Sequence, residues 1–272
     1  MSDNSDQMVQ ERPAWLIPLI VAAGIAVFSA AFAYYYFGPT PSELLGLAPR
    51  ASESSEKVDM MIGGSQFLVP SNFTRYPLQR VGGTQNEIDL HALLPELAPY
   101  SIERREAFED NTSDAMVVHI KIHLAENLLP ASRRFDEIYS RHLASLVPVP
   151  GPTGLQRYDF SENSGYRDQD LFVDERGGTQ PLLLLCFRET VIIFSPNCTR
   201  TFQINDTVAL TYRYKRTQME RWETIDRTIT ALVESFIVAS ETDDISTDED
   251  GPDIAVNPAT ADPQLNEDIT PQ

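Results

Sequence analysis

Residues 115–124 read Ala-Met-Val-Val-His-Ile-Lys-Ile-His-Leu. Met116, Val118, Ile120, Ile122 and Leu124 fall on one side of an extended chain; Val117, His119, Lys121 and His123 fall on the other. A period of two with one wholly apolar face is the pattern of a half-buried strand. A sheet therefore sits at the centre of the fold. Downstream, Ala131–Leu146 predicts a helix, with Phe135, Ile138, Tyr139, His142, Leu143 and Leu146 on one stripe and Pro148, Pro150 and Pro152 ending it. A meander follows, with strands expected at 155–160, 168–174, 181–187, 190–195 and 207–215. Ser161–Gly165 and Arg176-Gly177-Gly178 supply turns. Leu182-Leu183-Leu184-Leu185 is apolar on both faces and predicts a central strand covered on both sides. A last helix over 216–239 presents Met219, Trp222, Ile225, Ile229, Leu232 and Phe236, and is expected to lie across the sheet.

Upstream, Val58–Ile62, Gly63-Gly64 and Ser65–Val69 form a hairpin signal, because two glycines accept the positive φ angles of a tight turn. Glu87–Leu94 reads as a further strand. The fold class expected is α+β: a largely antiparallel sheet packed by two helices, preceded by a transmembrane helix and followed by a disordered acidic tail.

The transmembrane helix is expected at Ala14–Phe37, which carries no charged residue. A helix rises about 1.5 Å per residue, so about 20 apolar residues cross a bilayer core. Trp15 at one end and Tyr34, Tyr35 and Tyr36 at the other suit the headgroup layers as interface anchors. Two other readings compete. A buried core helix is rarely apolar on every face. A cleaved signal peptide has the small-x-small spacing Ala31-Phe32-Ala33 in its favour, but the leader before the apolar run holds Asp3, Asp6, Glu11 and only Arg12. Basic residues flanking the helix are too few to orient it; an N-terminal anchor before a large domain favours export of that domain to the periplasm.

The resulting organisation is a polar tail at 1–13, the helix at 14–37, a linker at 38–57, a soluble α+β domain at 58–240 and a disordered tail at 241–272. The linker holds Pro39, Pro41 and Pro49, and Leu44-Leu45-Gly46-Leu47 as a short apolar piece suited to a membrane surface. The tail carries ten acids and no Lys or Arg, too little apolar mass to offset the entropy of ordering. Net charge is −19. Without a clustered basic face, nucleic acid is excluded as a partner. The partners expected are the lipid bilayer, through 14–37, and another envelope protein.

Cys186 and Cys198 invite a disulfide in an exported domain. Were 182–187 and 191–195 a hairpin, Cys198 would lie roughly 16 Å beyond its partner position. Only a reversal at Ser195-Pro196-Asn197 would bring it back, so pairing stays open here. The spacing is not C-x-x-C, which argues against redox or metal chemistry. His119 and His123 have a metal spacing for a helix; on a strand they stand roughly 13 Å apart and read as surface histidines. His142, on an apolar stripe, reads as a core histidine. Asp168, Asp170 and Asp174 share a strand face without the D-x-D-x-D-G pattern of a calcium loop. No catalytic, cofactor or metal constellation stands out, and no cofactor is expected. An enzyme would have to assemble scattered groups such as His91, His119, Glu103 and Asp170 in one cleft. A tethered adaptor facing the cytoplasm is the remaining alternative.

Ile62-Gly63-Gly64 leading to Phe67-x-Val69-Pro70-x-Asn72, with Cys198-Thr199-Arg200, Tyr212-Arg213-Tyr214 and Trp222-x-x-Ile225-Asp226, resembles uncharacterised single-span membrane-anchored proteins of alphaproteobacteria. The likeness covers about residues 14–238. It implies an inner-membrane anchor and no known activity, so it carries no site residues.

Overall fold

The computed structural model describes residue 13, residues 15–176 and residues 181–238. The readings on residues 1–12, on the Gly177-Gly178 turn and on 239–272, the acidic tail included, lie outside the described residues. The first element, α1 (Leu16–Phe37), is a helix with no buried residue, long and apolar enough to cross a membrane. Thr40 and Glu43 form a capping box on the short α2 (Pro41–Leu44).

The domain opens with β1 (Lys57–Ile62) and β2 (Ser65–Pro70), an antiparallel hairpin in which Ile62 faces Ser65. Gly63 and Gly64 turn it with φ of 58° and 83°. A Cβ on Gly63 would also stand 2.8 Å from the Thr207 carbonyl oxygen. β3 (Gly83–Thr84) joins β1 in parallel as the third strand of this small sheet. Next come β4 (Glu87–Leu93), α3 (Arg105–Glu109) and β5 (Val117–Leu124), the strand predicted from its alternation. The rest is α4 (Ala131–Glu137), β6 (Val149–Pro150), β7 (Gln156–Asp159), β8 (Gln169–Asp174), β9 (Leu182–Phe187), β10 (Asn197–Gln203), β11 (Val208–Lys215) and α5 (Trp222–Glu234).

Eight of these strands form one antiparallel sheet in the order β4-β5-β11-β10-β9-β8-β7-β6. The fold is therefore α+β, as expected. One face packs under α5 and the β1–β2 hairpin, where Met60, Ile62 and Phe67 meet Leu90, Ile120 and Tyr212 and the Trp222, Ile225, Ile229 and Val233 stripe. The other face, over β7–β9, packs under α4 and the turn after it. The four leucines of β9 serve both cores: Leu182 and Leu184 point into the first, Leu183 and Leu185 into the second.

Three boundaries differ from expectation. The 131–146 helix stops at Glu137, continues as a 3₁₀ turn over Tyr139–His142, and gives way to extended Leu143, which bridges Phe160. The 216–239 helix begins as a 3₁₀ turn over Arg216–Arg221, and its α-helical part ends at Glu234. The Val238 amide then donates to the Gln66 carbonyl, so the segment after α5 joins the edge of β2. Residues 190–195 form no strand. The antiparallel partner of β9 is instead β10, a polar strand made extended by its neighbours on both sides.

Candidate functional site

The scattered candidates do not assemble into one centre. His91 and His119 are directly opposed on β4 and β5. Asp170 sits on β8, four strands away from β5 in the sheet order, about 19 Å at the spacing of neighbouring strands. Glu103 is exposed on a 3₁₀ turn. Among the described residues no group of three His, Cys, Asp or Glu is placed to hold a metal ion. Asp174 pairs with Arg176 at 2.7 Å and Asp168 is exposed, so the aspartates of β8 hold arginines and not a shared cation.

Two histidine readings are corrected. His119 is not on a solvated face: the segment between β4 and β5 folds back over that end of the sheet. Within this cover the His91 ring lies 4.6 Å from Phe108 and parallel to Tyr100 at 6.0 Å. His91 Nε2 and His119 Nδ1 are buried without a hydrogen-bond partner among the described residues. Burial, reinforced by Arg75 and Arg80, pushes His91 down to about 4. Burial, reinforced by Arg75 and Arg213, pushes His119 down to about 3. His123 is tied to the Leu124 carbonyl and to Thr211 Oγ1 at 2.8 and 3.0 Å. His142 is exposed, because the 3₁₀ turn rotates it off the buried stripe.

The most developed surface feature is the segment joining β9 to β10. Cys186 and Cys198 are register partners with Cα atoms 4.0 Å apart, and their sulfurs are bonded. The bridge closes the loop that contains residues 188–196. Asp170, buried beneath it, receives Arg188 Nε at 2.7 Å and the Arg216 guanidinium on its other oxygen. Burial alone would raise this carboxyl, but the hydrogen bonds from Arg188 and Arg216 outweigh it and hold it below the ordinary carboxylate value. Arg216 also donates to the Phe187 carbonyl at 2.7 Å, and its backbone amide to the Pro196 carbonyl at 2.9 Å. Both ends of the loop are thus fixed by one arginine.

Inside the loop, the Thr190 amide donates to the Ile193 carbonyl, and the Ile193 amide donates to Thr190 Oγ1, each at 2.9 Å. Ser195 donates to the Asn111 carbonyl, while Lys215 donates to the Asn111 side chain at 2.7 Å. The amides of Thr190 and Ile193 are thus satisfied within the loop, while three of its apolar side chains face out. Val191, Ile192 and Phe194 are exposed by 101%, 88% and 71%. Leu146 and Val147 are exposed at the same end of the sheet, since Ala144 donates to the Asp159 carbonyl at the end of β7. At this end of the sheet lies an open cleft of about 720 Å³, lined by Arg157, Asp159, Glu162, Asp170 and Arg188 among others.

Sequence reasoning missed this loop because Val-Ile-Ile-Phe has strand composition. The twelve-residue spacing of the cysteines carried the available signal: strands paired at their cysteines need a loop between them.

In fold the chain resembles an immunity protein. Smlt3025, an immunity protein of the Stenotrophomonas maltophilia type IV secretion system, matches with a TM-score of 0.51 at 14% identity, over 70% of this chain and 98% of that one. The iron-regulated outer membrane lipoprotein FrpD of Neisseria meningitidis gives a TM-score of 0.46 at 14% identity, over 70% and 96%. Likeness at this identity concerns fold alone. No known family model matches the sequence, and no curated protein matches it. The resemblance to alphaproteobacterial single-span proteins thus has no family behind it. An apolar N-terminal helix and a disulfide are together features of the cell envelope. Trp15 precedes α1, and Tyr34, Tyr35 and Tyr36 close it, all of them outside the buried core.

Proposed function

We propose that the chain is a single-pass protein anchored in the inner membrane, whose periplasmic domain binds another envelope protein through the 188–196 loop. The observation that carries this is the exposure of Val191, Ile192 and Phe194 on a segment held at both ends. A contiguous apolar tip is costly in water and marks a contact surface. Fixing the loop in advance lowers the entropy lost on association. The cleft beside it, with two arginines and three carboxylates, suits the polar rim of such a contact. The disulfide supports export, because such bonds persist in oxidising compartments. The immunity role of Smlt3025 is one form of this binding for the present chain, and the partner recovered decides it.

A photoreactive amino acid at Ile192, in the full-length protein in its own membranes, tests the reading. The expected result is one envelope protein cross-linked from residue 192 and none from Arg227, exposed on the helix side of the sheet. Cross-links from Ile192 that hold only lipid or the protein itself overturn it. A phosphatase fused after Ser240, active only if exported, tests the orientation.

A further inference from the structure

Directly after α1, Leu44, Leu45 and Leu47 are exposed, and so are Leu78 and Val81 from the 3₁₀ turn Pro77–Val81 of the folded domain. These two apolar groups are held together. The Leu78 amide donates to the Gly46 carbonyl at 3.2 Å, and the Arg50 amide donates to the Arg75 carbonyl at 2.8 Å. Arg80 reaches from the same turn to the Arg50 carbonyl and to Thr74 Oγ1. Gly46 has a φ of 70°, and a Cβ there would stand 3.0 Å from the Leu78 amide nitrogen, so the close approach requires glycine. Leu47, Leu78 and Val81 also border a cleft of about 670 Å³ beside Tyr76.

We infer that this collar seats the domain on the bilayer that holds its own anchor, with Leu45 and Val81 in the headgroup layer. The inference rests on α1 being a membrane span. Continuity of the chain identifies the occupant. Leu44 follows Phe37 by only seven positions, and part of that length is taken up by α2. Fully extended, seven residues reach about 25 Å. The leucines of 44–47 therefore stay close to the interface in which α1 ends, and Leu78 and Val81 are hydrogen-bonded to them. Apolar side chains at that depth, with Tyr76 beside them, suit an interfacial layer in the same way as aromatic belts. The seat also fixes direction. Glu87, the first residue of β4, lines the cleft under the collar, whereas the 188–196 loop leaves β9 at the opposite end of the sheet. The apolar loop tip is then displayed away from the lipid, where a protein can reach it.

Both cysteines of the sequence are in the bridge, so a single added cysteine takes an environment-sensitive fluorophore selectively. Full-length Val27→Cys, Val81→Cys and Ile192→Cys proteins are reconstituted in phosphatidylcholine–phosphatidylglycerol vesicles containing brominated lipid. Bromines deep in the chains should quench the label at 27, bromines near the headgroups should quench the label at 81 several-fold, and neither should quench 192. Adding Gly46→Ala should abolish quenching in the Val81→Cys protein and leave it unchanged in the Val27→Cys protein; quenching at 81 that survives Gly46→Ala overturns the role given to the 46–78 contact in the seat. No quenching at 27 overturns the anchor and the seat with it. Quenching at 27 without quenching at 81 overturns the seat alone and leaves a freely swinging domain. Cross-linking of Val81→Cys to itself between two copies overturns it in favour of a dimer.

Discussion

The Tyr212 hydroxyl donates to Asp226 Oδ1 at 2.7 Å, which ties the central strand β11 to the helix that covers it. The Arg200 guanidinium meets the same carboxylate from β10, and its plane lies over the Phe202 ring at 4.0 Å. Burial first, and the neighbouring Asp226 second, raise the tyrosine well above its ordinary value, so it stays a neutral donor. Three successive elements, β10, β11 and α5, are thus fastened at one carboxylate. Asp226→Ala removes the acceptor and leaves a cation and a hydroxyl without a partner beneath α5. The expected loss is about 3 kcal/mol; Tyr212→Phe, which removes one donor only, should cost about 1 kcal/mol. Urea denaturation of the detergent-solubilised protein reads both, and equal losses for the two variants would contradict the ranking.

The bridge between Cys186 and Cys198 closes a short loop, so most of its effect should be local. Replacing both cysteines by serine should cost about 3 kcal/mol through restored freedom of the unfolded chain. The β9–β10 ladder remains. Hydrogen exchange at the Ile193 amide, now bonded to Thr190, should accelerate far more than exchange at the Tyr212 amide. Uniform acceleration across the sheet would show that the bridge supports the whole domain and not the loop.

Asp170 shields Arg188 and Arg216 from one another under the loop. Asp170→Ala leaves two guanidinium groups facing each other over a buried gap, at an expected cost of about 3–5 kcal/mol. Asp170→Asn keeps the volume and one acceptor oxygen and should cost less. Because Arg216 also holds the Phe187 carbonyl, both variants should lower the yield of cross-links from residue 192 even where the domain stays folded. Thermal denaturation and the cross-link yield, measured on the same samples, separate the two effects.

What the sequence discloses follows from which side of each element is paid for by local pattern and which by distant partners. Residues 115–124 alternate because one face is core, and Leu182–Leu185 run apolar because both faces are. Gly63-Gly64 announces its turn because φ restrictions are a property of the residue itself. β10 announces nothing: Asn-Cys-Thr-Arg-Thr-Phe-Gln becomes a strand through bonds to β9 and β11. Val191–Phe194 misleads for the opposite reason, carrying strand composition into solvent. His119 is covered by a segment whose Tyr100 and Phe108 cannot be placed over β4 and β5 from spacing alone. The loop site depended on the pairing of the cysteines, which sequence geometry left open.

The orphaned nitrogens of His91 and His119 give the domain an acid-sensitive edge. The groups turned toward the pair are Arg75 and Arg80 from the segment after β2, and Arg213 and Lys215 from β11; Tyr100 and Phe108 cap it. Protonation there adds charge to a site already surrounded by cations, and no carboxylate is among those neighbours. Both folded values, about 4 and about 3, lie below the ordinary 6.5. The unfolded chain therefore binds more protons in that interval. The stabilising contribution is complete above about pH 6.5 and is lost as pH falls toward 4 and then 3, at up to about 1.4 kcal/mol per pH unit for each histidine. Asp170, held below its ordinary carboxylate value, adds its own loss only at lower pH, beneath the usual aspartate range. Denaturation midpoints between pH 7 and 4 should fall in the native protein and stay nearly flat in a His91→Asn, His119→Asn double variant. Exchange of the Phe108 amide, which reports on the cover, should rise over the same interval. A double variant that keeps the full slope would assign the acid sensitivity to carboxylates instead.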